Sequence, residues 1–326
     1  MNRYRLHHFT EFQYDGPVSE SFNEVRLRPV HDERQSCISF RLSTVPHARA
    51  LAHRDYFGNW VHQLNVAPEH RHLTIETESV VLVHNPPPVP GDSISLFEFD
   101  GMRESVYEDN YEYLAPTSYV PYLPEVAELV EVARERSQGT IAGFVQAAAD
   151  LVHHKFRYEK GATHVHSSIQ DAIRLRAGVC QDFAHLLLAV VRMRGLPGRY
   201  VSGYLVPRSA AEPGAGVEQV IGGQASHAWT EVYQPGCGWI SYDPTLGAPV
   251  SLRHVRIAYG RDYGDVPPVR GVYKGHAGQR LHVDVRVRPA LDDEGREQLM
   301  ETAAGPPDVS QEQRLHQPQQ QQQQQQ

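Results

Sequence analysis

The stretch from Cys180 to about Arg194 constrains this chain more than any other. Phe183, Ala184, Leu186, Leu187, Leu188, Ala189, Val190, Val191 and Met193 wrap most of a helical circumference. A helix that is apolar nearly all round has no face to offer water, so it must lie inside a larger structure. Gly195 and Pro197 end it: glycine suits a left-handed cap, and proline lacks the amide hydrogen needed to continue. With 326 residues the chain is long enough for two domains, or for one domain with a large appendage, around such a helix.

The flanking pattern divides the chain. Residues 1 to about 85 alternate as strands, at Arg3 to Tyr14, Cys37 to Val45, Trp60 to Val66 and His72 to Val83, with Asp55 to Asn59 as a turn in which Gly58 takes positive φ. This predicts an all-β, sandwich-like domain over 1–90. A proline-rich linker, Asn85 to Gly91, follows, then an irregular segment to about Pro124. Helices are expected at Pro124 to Arg136, Thr140 to Lys155 and Ser167 to Arg176, and a strand at Arg199 to Val206 followed by a loop to about Gly216. A second domain spanning 91–290 is therefore α+β, a central helix against an antiparallel sheet. Residues 291–326 carry a short exposed helix at most, at Asp292 to Glu301, and end in a glutamine tract expected to be disordered.

Charge and cysteine usage exclude several classes. The net charge is −8 with both signs mixed along the chain, so neither nucleic acid nor an anionic membrane is expected as a partner. Three cysteines, Cys37, Cys180 and Cys237, form no CxxC pair and are odd in number, which argues against a disulfide framework or a structural zinc site. No apolar run reaches membrane-spanning length, and the first residues lack the apolar core of a signal peptide. The expectation is a soluble, cytoplasmic protein whose thiols stay reduced. The 19 histidines, including His7-His8, His70 and His72, His153-His154, and His164 and His166, follow no metal-ligand spacing and read as scattered surface residues. Gly222-Gly223 lacks a phosphate-loop context, and no EF-hand loop is present. No metal and no cofactor is expected.

One cysteine stands apart. Cys180 opens the buried helix, where unpaired amide hydrogens and the positive end of the helix dipole favour a thiolate and face an oxyanion. Downstream, Ser226 to Tyr233 and Trp239 to Asp243 are alternating strands joined by Gln234 to Gly238, a hairpin. If the hairpin centres on Pro235, His227 and Asp243 fall directly opposite one another on the same face. An imidazole beside a carboxylate has its tautomer fixed and its cation stabilised, which is the base that a weak nucleophile needs. Cys180, His227 and Asp243 are therefore the candidate catalytic residues. Asp182 reads as favouring the helix dipole or as a functional carboxylate, and His185 as making a local polar contact. Trp229 and Trp239 wall the site or fill the core, and Cys237 is incidental.

Gly178 to His185 followed by Arg199 to Leu205, then Ser226-His227-Ala228-Trp229, then Gly238-Trp239 to Asp243-Pro244-Thr245, resemble the blocks of the bacterial transglutaminase-like family. Tyr56 to Asn59 resembles part of its N-terminal β region, and Tyr259 to Tyr263 with Asp265 to Pro268 its C-terminal block. The resemblance extends to about residue 288 and implies a papain-like, transglutaminase-like core with a Cys180–His227–Asp243 triad. The implied chemistry is acyl transfer from a peptide or protein amide through a thioester. Water as acceptor makes the enzyme a peptidase or amidase, and an amine makes it a protein-glutamine transamidase. A binding or assembly protein that kept the fold is the alternative from another class, disfavoured by the intact triad. Nothing in the pattern marks the oxyanion side-chain donor or an oligomeric state.

Overall fold

The computed structural model describes residues 1–85, 94–208 and 226–290. The proline-rich linker past Asn85, the loop toward Gly216, Gly222-Gly223, the expected 292–301 helix and the glutamine tract lie outside the described residues.

The N-terminal strands are β1 (Asn2–Val25), β2 (Gln35–Val45), β3 (Ala50–Arg54), β4 (Trp60–Val66) and β5 (His70–Val83), ordered β2-β5-β1-β4-β3. β1 is far longer than the alternation predicted because it serves two halves of the sheet. Its first part pairs with β5 and its last part with β4; the β5 register breaks between Gln13 and Val18, and Glu20 takes φ 48. The bend folds the sheet over Tyr14, Val18, Val25, Leu27, Leu64, Val66, Leu73 and Ile75, giving the sandwich-like core. The turn before β4 forms as expected: Asp55 Oδ1 accepts from the amides of Phe57 and Asn59, and Gly58 takes φ 84.

Helix α1 (Leu96–Asn110) forms within the segment whose sequence predicts irregular structure. It buries only Leu96, Phe99, Val106 and Asn110, so it shows no clear apolar stripe, and its start depends on a capping box between Ser95 and Glu98. Helices α2 (Pro124–Arg136), α3 (Ile141–Lys155) and α4 (Ile169–Leu175) form where periodicity places them, with Thr140 and Ser168 as side-chain caps. Two short strands, β6 (Arg157–Tyr158) and β7 (Ala177–Gly178), pair in parallel and lead the chain into α5 (Cys180–Arg194). Leu186, Leu187 and Leu188 of α5 are fully buried. Truncating one such leucine to alanine typically costs about 2–5 kcal/mol. At the far end Gly195 adopts φ 89, and the amides of Gly195 and Leu196 bond back to Arg192 and Val191 in a Schellman cap.

Around α5 lies an antiparallel sheet of β8 (Gly198–Leu205), β9 (His227–Gln234), β10 (Gly238–Asp243), β11 (Ala248–Pro249) and β12 (His254–Gly260), ordered β11-β10-β9-β8-β12. Ala228 and Val232 of β9 pack into the helical core, and Thr230 Oγ1 donates to the Ala184 carbonyl at 3.1 Å. The β9–β10 hairpin pairs Gln234 with Gly238 and Thr230 with Tyr242, so it centres on Gly236, one residue beyond the expected Pro235. Moving the centre by one residue moves the pairing by two. It therefore preserves which face each side chain occupies, and His227 and Asp243 become diagonal rather than direct partners.

Two later strands, β13 (Val269–Lys274) and β14 (Gln279–Pro289), pair with β1 rather than with the core sheet. The expected division at residue 90 is thus not the division between sheets: the N-terminal sheet takes in segments from both ends of the described chain. Strand-like alternation alone does not say which sheet a strand joins. The two sheets meet through Tyr4, Leu6, Val81 and Val83 on one side and Tyr204, Val206, Val255 and Ile257 on the other. His8 and His70, read as surface residues, are buried instead, and His8 hydrogen-bonds Tyr204 Oη at 2.6 Å across this contact. No helix among the described residues is long and apolar enough to cross a membrane.

Candidate active site

The three candidate residues converge at one rim of the core sheet. Cys180 is the first residue of α5 and half-buried; its backbone N–H, in the first turn, has no acceptor within the helix. The approach to it is close-packed. Asp182 accepts from the Val179 amide at 2.8 Å and from Thr163 Oγ1 at 2.5 Å, fixing the first turn. A Cβ on Gly178 would lie 2.6 Å from Asp182 Oδ2, which accounts for the glycine. Burial raises the Asp182 pKa, and these hydrogen bonds offset only part of that rise. The contacts give Asp182 a capping role at the third helical position, the structural one of its two readings.

His227 opens β9 and Asp243 closes β10, both essentially inaccessible to solvent. His227 Nε2 and Asp243 Oδ2 lie 2.7 Å apart. The other ring nitrogen, Nδ1, is buried without a hydrogen bond of normal geometry, yet Cys180 is near enough to act on this ring as a hydrogen-bonding neighbour. With Nε2 committed to the carboxylate, Nδ1 is the atom that faces the thiol. Catalytic hydrogen bonds are often loose before substrate binds. Burial disfavours the imidazolium, but the Asp243 charge and hydrogen bond outweigh it, so the His227 pKa is raised. Burial likewise opposes ionisation of Asp243, and His227 with His254 overcomes it, so its carboxyl is held well below the usual range. The diagonal pairing thus makes the contact that the sequence expected from direct opposition.

Several residues at the site carried no sequence signal. His254, first residue of β12, places Nε2 3.0 Å from the same Asp243 Oδ2. Asp243 Oδ1 accepts from the amides of Thr245 and Leu246, at 2.9 and 3.3 Å. Tyr158, partly buried, is paired in β6 with Gly178; Tyr200 of β8 is buried. Burial first, then the neighbouring Cys180, raises both phenol pKa values, so both hydroxyls remain protonated beside the thiol. Trp229 is fully buried next to His227, and Trp239 packs on Tyr113 and Arg199 away from the helix start. His185 makes no local contact with Asp182; its Nε2 accepts from the Tyr263 amide at 3.1 Å, tying α5 to the C-terminal block.

Two groups among the described residues bring together enough donors for a metal ion, His227–Asp243–His254 and His7–Glu76–Glu78. In the first, both imidazole Nε2 atoms are hydrogen-bonded to one carboxylate oxygen. In the second, Arg41 occupies Glu78 at 2.8 Å.

Residues 4–82 match the family model of the bacterial transglutaminase-like N-terminal region, and residues 130–244 match that of the transglutaminase-like superfamily. The Mycobacterium leprae protein ML0607 is 38% identical over 288 residues, covering 88% of this chain and 99% of that protein. A protein-glutamine gamma-glutamyltransferase of Pseudomonas aeruginosa is 30% identical over 130 residues, 38% of this chain and 18% of that protein. A solved structure of a candidate cysteine protease from Cytophaga hutchinsonii shares the fold, with TM-score 0.65 at 22% identity over 90% of this chain and 95% of that one. The two family models follow one another along the chain, and the second covers both the helix that starts at Cys180 and the hairpin that carries His227 and Asp243. The chain belongs to the transglutaminase-like superfamily.

Proposed function

We propose that the protein is a cysteine-dependent acyl-transfer enzyme that hydrolyses a peptide-type amide, with Cys180 as nucleophile, His227 as base and Asp243 as the residue that orients the base. The observation that carries this reading is the division of labour at His227: Nε2 is held by Asp243 at 2.7 Å, which leaves Nδ1 for the thiol. Cys180 Sγ, its proton already held on His227 Nδ1, attacks the amide carbonyl carbon as a thiolate. The tetrahedral intermediate collapses, the C–N bond breaks and the leaving amine takes that proton from His227. A thioester remains. Water then gives up a proton to His227 as its oxygen attacks the thioester carbon, and the C–S bond breaks to restore the thiolate beside the protonated ring, releasing a carboxylic acid. The Cys180 backbone N–H, at the helix start, suits the developing oxyanion. Water is favoured as acceptor because Cys180 is only half-buried, which leaves a thioester there within solvent reach.

A second reading is transamidation, with an amine in place of water. It is favoured by the Pseudomonas aeruginosa relative, whose name is that of a glutamine acyltransferase. One experiment addresses both readings. Iodoacetamide labelling mapped by mass spectrometry separates Cys180 from Cys37 and Cys237, and loss of turnover should follow alkylation at Cys180 and appear in Cys180→Ala. Full activity of Cys180→Ala sinks the proposal. Product masses from a glutamine-containing protein, with and without a primary amine, then assign the acceptor: acid products are expected, and amine adducts at low amine concentration establish transamidation instead.

A further inference from the structure

We infer that His254 is a positioning residue that holds the Asp243 carboxylate in place, so that the site is a four-member chain, Cys180–His227–Asp243–His254. The inference rests on the cysteine chemistry proposed above and adds a residue that acts through Asp243.

The tautomer of His254 follows from its neighbours. The backbone amide of Ser251, which can only donate, lies 3.1 Å from His254 Nδ1. Nδ1 is therefore the acceptor, and the neutral ring carries its hydrogen on Nε2. That hydrogen points at Asp243 Oδ2, 3.0 Å away. The ring is buried, and burial, its largest influence, lowers its pKa, so His254 donates as a neutral imidazole while its neighbour His227 takes the charge.

Asp243 thus receives four hydrogens: one from each imidazole on Oδ2 and the amides of Thr245 and Leu246 on Oδ1. With two donors on each oxygen, the carboxylate cannot rotate without losing bonds on both, and no lone pair stays open to a proton. The arrangement spans the sheet. In the order β10-β9-β8-β12, two strands separate the strand of Asp243 from that of His254. Asp243 ends β10, His227 starts β9 and His254 starts β12 opposite Leu205, the end of β8, so the chain of contacts runs along one rim. A hydrogen bond over that span couples the base's orienter to the strand packed on the N-terminal sheet.

The other groups around His254 leave Asp243 as its anionic partner. Arg253 precedes it in the chain, the Trp229 ring meets it edge-on at 5.2 Å, and His84, Arg34 and Arg256 line the small cavity beside it. Burial first, then the charges of His227 and Arg253, outweigh the pull of Asp243 and keep the ring neutral.

The test combines a wild-type measurement with two variants of the full chain. Imidazole ¹⁵N shifts of the wild-type protein should show His254 as the Nε2–H tautomer at neutral pH; the Nδ1–H tautomer overturns the inference whatever the variants do. His254→Phe keeps a ring without the donor. It should lower kcat roughly 10- to 100-fold with little change in KM, and move the acid limb of the kcat/KM profile toward neutral pH as Asp243 protonates more readily. His254→Gln, which offers a side-chain N–H, should restore much of both. An unchanged acid limb and unchanged His227 titration in a folded His254→Phe protein overturn the inference. The NMR readouts need no turnover, so they remain decisive even if Cys180→Ala shows the proposed activity to be wrong.

Discussion

The indole of Trp229 fills the space in which a side chain at position 203 would stand. A Cβ there would sit 2.4 Å from the ring and 2.2 Å from the Val255 carbonyl oxygen. Because Trp229 packs against both His227 and His254, Gly203 sets the placement of the base from a neighbouring strand. Gly203→Ala should destabilise the fold by about 1–3 kcal/mol, as overpacking does, and should lower activity beyond that loss. Urea unfolding together with rate measurement checks this; wild-type values for both would show that the indole has room to move.

Glu231 is a fully buried carboxylate held by Arg199, Arg256 and Arg34, with Ser241 donating at 2.7 Å. Burial alone would raise its pKa, but the three guanidinium groups bring it to about 2. Since the folded value lies below the unfolded one, the unfolded chain binds the extra proton between them, and stability rises with pH across that window. The contribution is complete above about pH 4.5 and is lost as pH falls toward 2, on the order of 3 kcal/mol in all. Glu231→Gln should cost about 3–5 kcal/mol at pH 7, because Arg199 and Arg34 lose their ion-pair partner and Arg256 keeps only Asp32, and should flatten the acid side of a stability–pH curve.

Asp243→Asn should reduce kcat/KM roughly 10⁴-fold, as loss of the orienting carboxylate does in other triads. The His227 titration should move down from its raised value to below the ordinary 6.5, since burial remains and the opposing charge is gone. In the wild type, the stability that His227 contributes is present below pH 6.5 and is lost as pH rises through its folded pKa; the variant should lack that dependence. NMR titration of the ring tests the shift, and a ring that titrates as in the wild type would remove Asp243 as its cause.

Gly195→Ala tests the end of the central helix. With φ 89, the position is left-handed, and alanine there should cost about 1 kcal/mol, read as a lower melting temperature with activity intact.

The features legible in the sequence are those set by local periodicity and by short-range pairing. The all-apolar run beginning at Phe183 announced the buried helix, and alternation from Ser226 to Asp243 announced the hairpin. The pairing shifts by two with the true centre, but face parity is kept, so His227 and Asp243 still meet. Helix α1 was hidden because a Gly101-containing, mostly exposed helix shows little stripe. His254 was hidden for a different reason: its contact with Asp243 depends on the order of strands across the sheet, which neighbouring residues in the chain do not encode. Glu231 reads from sequence as an ordinary polar position of an alternating strand, and only the packing of Arg34 from the turn before β2 and Arg256 from β12 makes it a buried ion cluster.

Strand β1 is completed on its second edge by two strands that come far later in the chain, Val269–Lys274 and Gln279–Pro289. Throughout synthesis of the intervening residues the nascent protein presents a long row of unpaired amides and carbonyls, bordered by strands already able to assemble. Such an edge is a template for a second nascent chain. The order in which the strands are made therefore leaves a pairing edge of β1 open until Val269–Lys274 and Gln279–Pro289 are added.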